Sequence, residues 1–87
     1  MEDDFVRETR ERITDVDRRI LEAVNERLRL VQELWRHKAE HDMPTLAPSR
    51  EQWLLDHLSK ENTGPLSDDG LRRLFGEILA LTKRELG

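Results

Sequence analysis

The sequence predicts an all-α fold of three helices, one long and two shorter, in a single domain spanning residues 1–87 that forms an intertwined homodimer. Three observations point that way. All four Gly and all three Pro lie beyond residue 43, so residues 5 to about 41 contain no helix breaker. Apolar residues recur at helical spacing, and no segment alternates as a strand does. A chain of 87 residues buries only a little over ~60% of its unfolded surface, which makes a lone copy marginal and association expected.

The first helix shows a heptad pattern with a at 10, 17, 24, 31 and 38 and d at 13, 20, 27 and 34. Val16, Ala23 and Leu30 fall at g, and Leu21, Leu28 and Trp35 at e, giving a broad apolar face on an otherwise polar helix. Pro44 and Pro48 bracket a loop, Asp42 to Ser49. Ser49 and Gln52 then form a capping-box pattern ahead of a short second helix bearing Trp53, Leu54, Leu55 and Leu58. Asn62-Thr63-Gly64-Pro65 reads as a turn. Ser67 is placed to cap a third helix, with Asp68 and Asp69 favourable to its dipole. Leu71, Leu74, Phe75, Ile78, Leu79 and Leu81 form its apolar stripe.

Helix length predicts the pairing of copies. A helix of this extent is ~55 Å long at ~1.5 Å per residue. A compact domain of this size is only roughly 30 Å across. The long helix therefore overhangs its own protomer, and a second copy is the simplest cover for its apolar face.

Composition excludes several classes. Lys and Arg number 15 against 19 Asp and Glu, a net charge of -4, without the basic excess expected of a nucleic-acid binder. The longest apolar run, Ile78 to Leu81, is far below the ~20 residues of a membrane span. The opening Met1-Glu2-Asp3-Asp4 is acidic where a secretory signal is basic. With no Cys, disulfides and thiolate metal sites are excluded and an intracellular location is permitted.

The informative residues are charges where apolar residues are expected. Five of the nine a and d positions are apolar, but Arg10, Asp17, Arg27 and Lys38 are charged. Arg27 lies among Ala23, Val24, Leu30 and Val31, where a buried guanidinium needs an anion. Lys38 lies ~16 Å further along the axis, within reach of a shared ligand, whereas Arg10 lies ~25 Å away on the other side. Against an antiparallel copy crossing near residue 21, Arg10 would fall between Arg27 and Lys38. The second helix adds Arg50 and Glu51, and the third sets Thr82 in line with its apolar stripe. Three or four cations, a carboxylate and a hydroxyl suit a small dicarboxylate bearing a hydroxyl group. The competing reading is that these charges only set register in a helical dimer.

Other candidates are weaker. His37 and His41 have the i, i+4 spacing of a metal pair, but no His-Glu-x-x-His motif surrounds them. His57 reads as a helix-surface residue. Trp35 and Trp53 read as core or interface rather than stacking platforms. No nucleophile–base pair or glycine-rich phosphate loop is present, so hydrolysis and phosphoryl transfer have no support.

Arg10-Glu11-Arg12-Ile13, Asp17, Glu26-Arg27, Lys38, Pro44, Ser49-Arg50-Glu51 and Leu74-Phe75-Gly76-Glu77-Ile78-Leu79, in this order, resemble the all-helical chorismate mutase family. The resemblance covers residues 9 to about 86. It implies an intertwined dimer and the Claisen rearrangement of chorismate to prephenate in aromatic amino acid biosynthesis, a branch of the shikimate pathway, in the cytoplasm and without cofactor or metal. It further implies that Arg10 of the partner chain and Arg27 hold the two substrate carboxylates. Lys38 binds a carboxylate and donates to the ether oxygen, and Glu51 accepts from the ring hydroxyl with Arg50 nearby. Thr82 matches a small hydroxyl residue near the ring carboxylate.

Two positions depart from the family pattern. An acidic residue that contacts the ring hydroxyl is replaced by Ala47. Leu86 stands where a Gln, or sometimes Glu, donates to the ether oxygen, with Glu85 one residue away. Glu85 in that role has to be protonated, so activity would rise at acidic pH. These departures and the tail Arg84-Glu85-Leu86-Gly87 resemble a subgroup of small actinobacterial intracellular mutases, which implies activation by DAHP synthase. Ala47-Pro48-Ser49-Arg50 also resembles isochorismate pyruvate lyases and mutases of 4-amino-4-deoxychorismate, and Glu51 leaves hydroxyl and amine substrates undivided. A non-catalytic regulatory or dimerisation domain is the rival of another class. Its weakness is Arg27 and Lys38, which stability alone does not explain.

Overall fold

The computed structural model describes residues 3–87; Met1 and Glu2, part of the acidic opening noted above, lie outside them. Three helices make up the described fold: α1 (Asp4–Glu40), α2 (Pro48–Glu61) and α3 (Asp68–Leu86), and no strand occurs among the described residues. None of the helices is long and apolar enough to cross a membrane. The chain divides into two units, Met1–Val31 and Gln32–Gly87, with the boundary inside α1.

Asp3 begins α1, its carboxylate accepting from the Val6 amide at 2.8 Å, which satisfies one of the donors a helix start leaves open. Uninterrupted helix formers then carry α1 for 37 residues. It ends where the Lys38 carbonyl accepts from the His41 and Met43 amides at 3.2 and 2.8 Å. Asp42, in the left-handed region at φ 53°, turns the chain away from the helix axis. No residue of α1 is buried; Ile20 is 56% exposed, and Ile13, Leu21, Leu30 and Leu34 are similarly open.

The second unit packs α2 against α3. Leu71 is 4% exposed, and Leu54, Leu55, Leu58, Phe75, Ile78, Leu79 and Leu81 are half-buried. Arg72 clamps the pair: its Nη2 lies 3.1 Å from Asp56 on α2 and its Nε 3.0 Å from Asp68 on α3. Ser59 donates to Asp68 as well. These hydrogen bonds, that of Ser59 first, hold the Asp68 carboxyl below its ordinary value, and the same two carboxylates push Arg72 upward. Between the helices, Asn62 accepts from the Gly64 amide at 2.9 Å and donates to the Leu66 carbonyl at 2.8 Å. Gly64 takes φ 82° there, a conformation that favours glycine.

The two helix starts differ. Ser67 caps α3 as expected, its hydroxyl accepting from the Gly70 amide at 3.0 Å. The capping box expected of Ser49 and Gln52 is not formed: Ala47 is the cap residue and makes no side-chain hydrogen bond, with Pro48 in the first turn. Proline's fixed φ suits that position, and its missing N–H would have been unsatisfied there anyway. Ser49 is thereby drawn inside the helix, and Gln52 donates to Asp56 at 3.2 Å instead.

Candidate active site

The expected site residues fall on both units. Arg10 and Arg27 lie on the Met1–Val31 unit; Lys38, Arg50, Glu51, Thr82 and Glu85 lie on Gln32–Gly87. Arg27 is half-buried, consistent with its place among apolar neighbours, and Arg10 is exposed. Beside Arg10, the Thr14 hydroxyl donates back to the Arg10 carbonyl at 3.0 Å.

Lys38 is half-buried in the last turn of α1. Its carbonyl receives the two amides that end the helix, and its Nζ donates to the Thr45 carbonyl at 3.4 Å. Both ends of the residue therefore tie down the loop leading to α2. The first turn of α2 carries Arg50, whose guanidinium carbon lies 3.9 Å over the Trp53 ring. Trp53 in turn stacks on His57 with centroids 4.5 Å apart, and His57 pairs with Glu61 at 3.0 Å. Trp53 is thus a half-exposed platform for Arg50 rather than a core residue. The i, i+3 spacing of Arg50 and Trp53 is a signal that the sequence already contained.

Glu51 projects one residue on from Arg50 and pairs with Lys83 of α3, Oε1 to Nζ 2.8 Å. Sequence reasoning did not find Lys83, because no local spacing links positions 51 and 83. Thr82 is buried, 5% exposed, and its hydroxyl donates to the Ile78 carbonyl at 2.7 Å. Donation to a carboxylate would require that hydroxyl to turn away from the Ile78 carbonyl.

At the C-terminal end α3 continues without a break to Leu86. At ~100° per residue, Leu86 lies about 40° from Thr82 around the axis and Glu85 about 60° to the other side. Leu86 is half-buried and Glu85 exposed. His37 and His41 stack with centroids 4.1 Å apart, and among the described residues no three His, Asp or Glu gather as metal ligands would.

Within the Gln32–Gly87 unit, the Lys38 ammonium, the Arg50 guanidinium and the Glu51 carboxylate are groups that can hold a small polar molecule by charge and hydrogen bonding. The class these features define is an all-helical enzyme domain. Residues 9–85 match chorismate mutase type II, and the chain belongs to that family.

The chain is 37% identical over 84 residues to the bifunctional chorismate mutase/prephenate dehydratase of Stutzerimonas stutzeri, covering 91% of this chain and 23% of that protein. It is 37% identical over 82 residues to the Pseudomonas aeruginosa protein of the same name, covering 88% and 22%. It therefore spans less than a quarter of the length of these curated relatives. Form II of chorismate mutase from Thermus thermophilus superposes with a TM-score of 0.89 at 37% identity, over 93% of this chain and 92% of that one. Form I gives a TM-score of 0.88 at 38% identity, over 91% and 99%.

Proposed function

We propose that two copies of the chain form a homodimer in the cytoplasm that rearranges chorismate to prephenate. The supporting observation is the match to chorismate mutase type II over residues 9–85, a span containing every proposed site residue. The open apolar face of α1, Ile13, Ile20, Leu30 and Leu34, supports the dimer, since such a face is normally covered.

The reaction is an isomerisation in which the ether C–O bond breaks as a new C–C bond forms within one molecule. It needs no attacking group, so the enzyme contributes by holding the reactive conformer and stabilising charge on the departing ether oxygen. In this reading Arg10 of the partner and Arg27 hold the carboxylates, and Lys38 serves a carboxylate and the ether oxygen. Arg50 stands near the substrate, steadied on Trp53. Glu51 accepts from the ring hydroxyl, and Thr82 lies near the ring carboxylate. Leu86, on the Thr82 side of α3, cannot donate to the ether oxygen. Glu85 is the remaining donor near the end of α3; without it the activity of the chain alone is low, and DAHP synthase, the partner implied by resemblance, raises it.

The test follows chorismate loss and prephenate appearance with and without added DAHP synthase. Removing the Lys38 ammonium in Lys38→Ala is expected to cost about 100-fold or more in kcat while the dimer persists in sedimentation. Consumption of isochorismate in place of chorismate overturns the assignment. Loss of the dimer in step with activity returns Lys38 to a structural role. In the same assay Glu85→Gln, whose amide donates at any pH, removes Glu85 from the site when the pH–rate profile is unchanged.

A further inference from the structure

Glu51 is the residue on which hydroxyl and amine substrates remained undivided. Its side chain is 29% exposed and meets Lys83 Nζ at 2.8 Å across the α2–α3 pair; Lys83 is itself 43% exposed. We propose that Lys83 determines substrate choice by neutralising Glu51, so that the site accepts a ring hydroxyl and disfavours an ammonium group in the same place. The proposal rests on the reading of Glu51 as the partner of the ring hydroxyl.

A carboxylate has two oxygens and about four lone-pair positions. Lys83 occupies Oε1 and leaves Oε2 able to receive a hydroxyl proton. A neutral O–H donor needs only that lone pair. An ammonium group gains chiefly from uncompensated negative charge, which is why charge-assisted bonds are the stronger kind. Beside Lys83 that charge is already balanced, and a second cation bound to Glu51 would meet Lys83 at short range. A lone Glu51 would favour the amine; the pair reverses the preference. Lys83 directly follows the buried Thr82 on α3, which fixes the root of its side chain while the four-carbon stem leaves the ammonium adjustable.

The experiment measures kcat/KM for chorismate and for 4-amino-4-deoxychorismate with the full chain, Lys83→Met and Lys83→Arg. The inhibition constant of the amine against chorismate turnover is measured alongside, so that an amine that binds without reacting is still scored. Lys83→Met is expected to move the chorismate-to-amine ratio about tenfold toward the amine, a change of about 1.4 kcal/mol. Lys83→Arg, which keeps the charge, is expected to restore the ratio. An equal fall for both compounds, or a ratio unchanged within about twofold, overturns the proposal and leaves Lys83 a structural partner. If Lys83→Met does not fold, Lys83→Gln is judged by the same ratio. Absence of chorismate turnover and of chorismate binding in the unaltered chain defeats the underlying reading of Glu51. An unchanged ratio in an active enzyme defeats only the role of Lys83.

Discussion

Along residues 4–31 of α1, Ile13, Ile20, Leu21 and Leu30 repeat at helical spacing and stand open to water. Across α2 and α3 a similar density of leucine has found its partner: Leu71 is sealed, its neighbours are half-covered, and Arg72 bridges the helices with two carboxylates. The same pattern of residues has been satisfied within one chain in the second region and not in the first. Apolar periodicity states that a face needs covering; whether the cover comes from the chain itself depends on where breakers let it fold back. The turn at Asn62–Leu66 permits that for α2 and α3, and α1 contains neither Gly nor Pro with which to double back on itself.

The strongest way to break this contrast is Ile20→Glu. On a face that only solvent touches, the change would be nearly silent. On a face that meets a second copy, it buries a carboxylate at a cost of several kcal/mol. The dimer dissociation constant is then expected to rise at least about 100-fold, each ~1.4 kcal/mol being tenfold, with loss of activity. Sedimentation over a dilution series reads the result, and an unshifted dimer would sink the proposed interface.

A smaller effect sharpens the difference between the two helix starts in the second region. Ser67 caps α3, while Ala47 leaves α2 without a side-chain cap. Ala47→Asp is expected to raise stability by about 1 kcal/mol, within the usual range for a gained N-cap. A higher urea midpoint at constant slope would show it. A lower midpoint would mean that the φ -133°, ψ 83° backbone of Ala47 does not accept the cap.

The smallest effect concerns the Arg72 clamp. The hydrogen bonds from Ser59 and Arg72 hold Asp68 below the ordinary 3.8. A carboxyl lowered on folding contributes stability above its unfolded value and loses it as pH falls through the folded one. The clamp therefore weakens below about pH 4, and the urea midpoint should fall there. Asp68→Asn should flatten that part of the profile, the Ser59 and Arg72 hydrogen bonds being the cause. An identical acid decline in both proteins would place the sensitivity elsewhere.

The helices themselves were legible in the sequence. Breaker positions put the long helix at 5 to about 41 against the observed Asp4–Glu40, and Ser67 announced its own cap. Pro48 was the misread signal: treated as part of the loop, it opens α2 and displaces Ser49 from the cap. The cationic positions were readable because charge on an apolar face stands out against its period. Lys83 was not, since it sits among other charges near the end of α3 and only the packing of α3 on α2 brings it to Glu51. Half of the Arg72 clamp shows the same division: Asp68 is four residues away and visible on the helix, whereas Asp56 is reached only through tertiary structure.

Leu71 carries a thermodynamic corollary. Heat capacity and denaturant sensitivity of unfolding both scale with the surface that unfolding exposes. Among the described residues one large apolar side chain is sealed within the chain, so a solitary copy has little such surface to release. Its melting would be shallow and spread over a wide temperature range. In the proposed dimer, cooperativity belongs to the encounter of copies, and the melting temperature climbs with protein concentration. Expression level in the cell then sets the folded fraction directly, and catalytic output grows faster than in proportion to the amount of chain made.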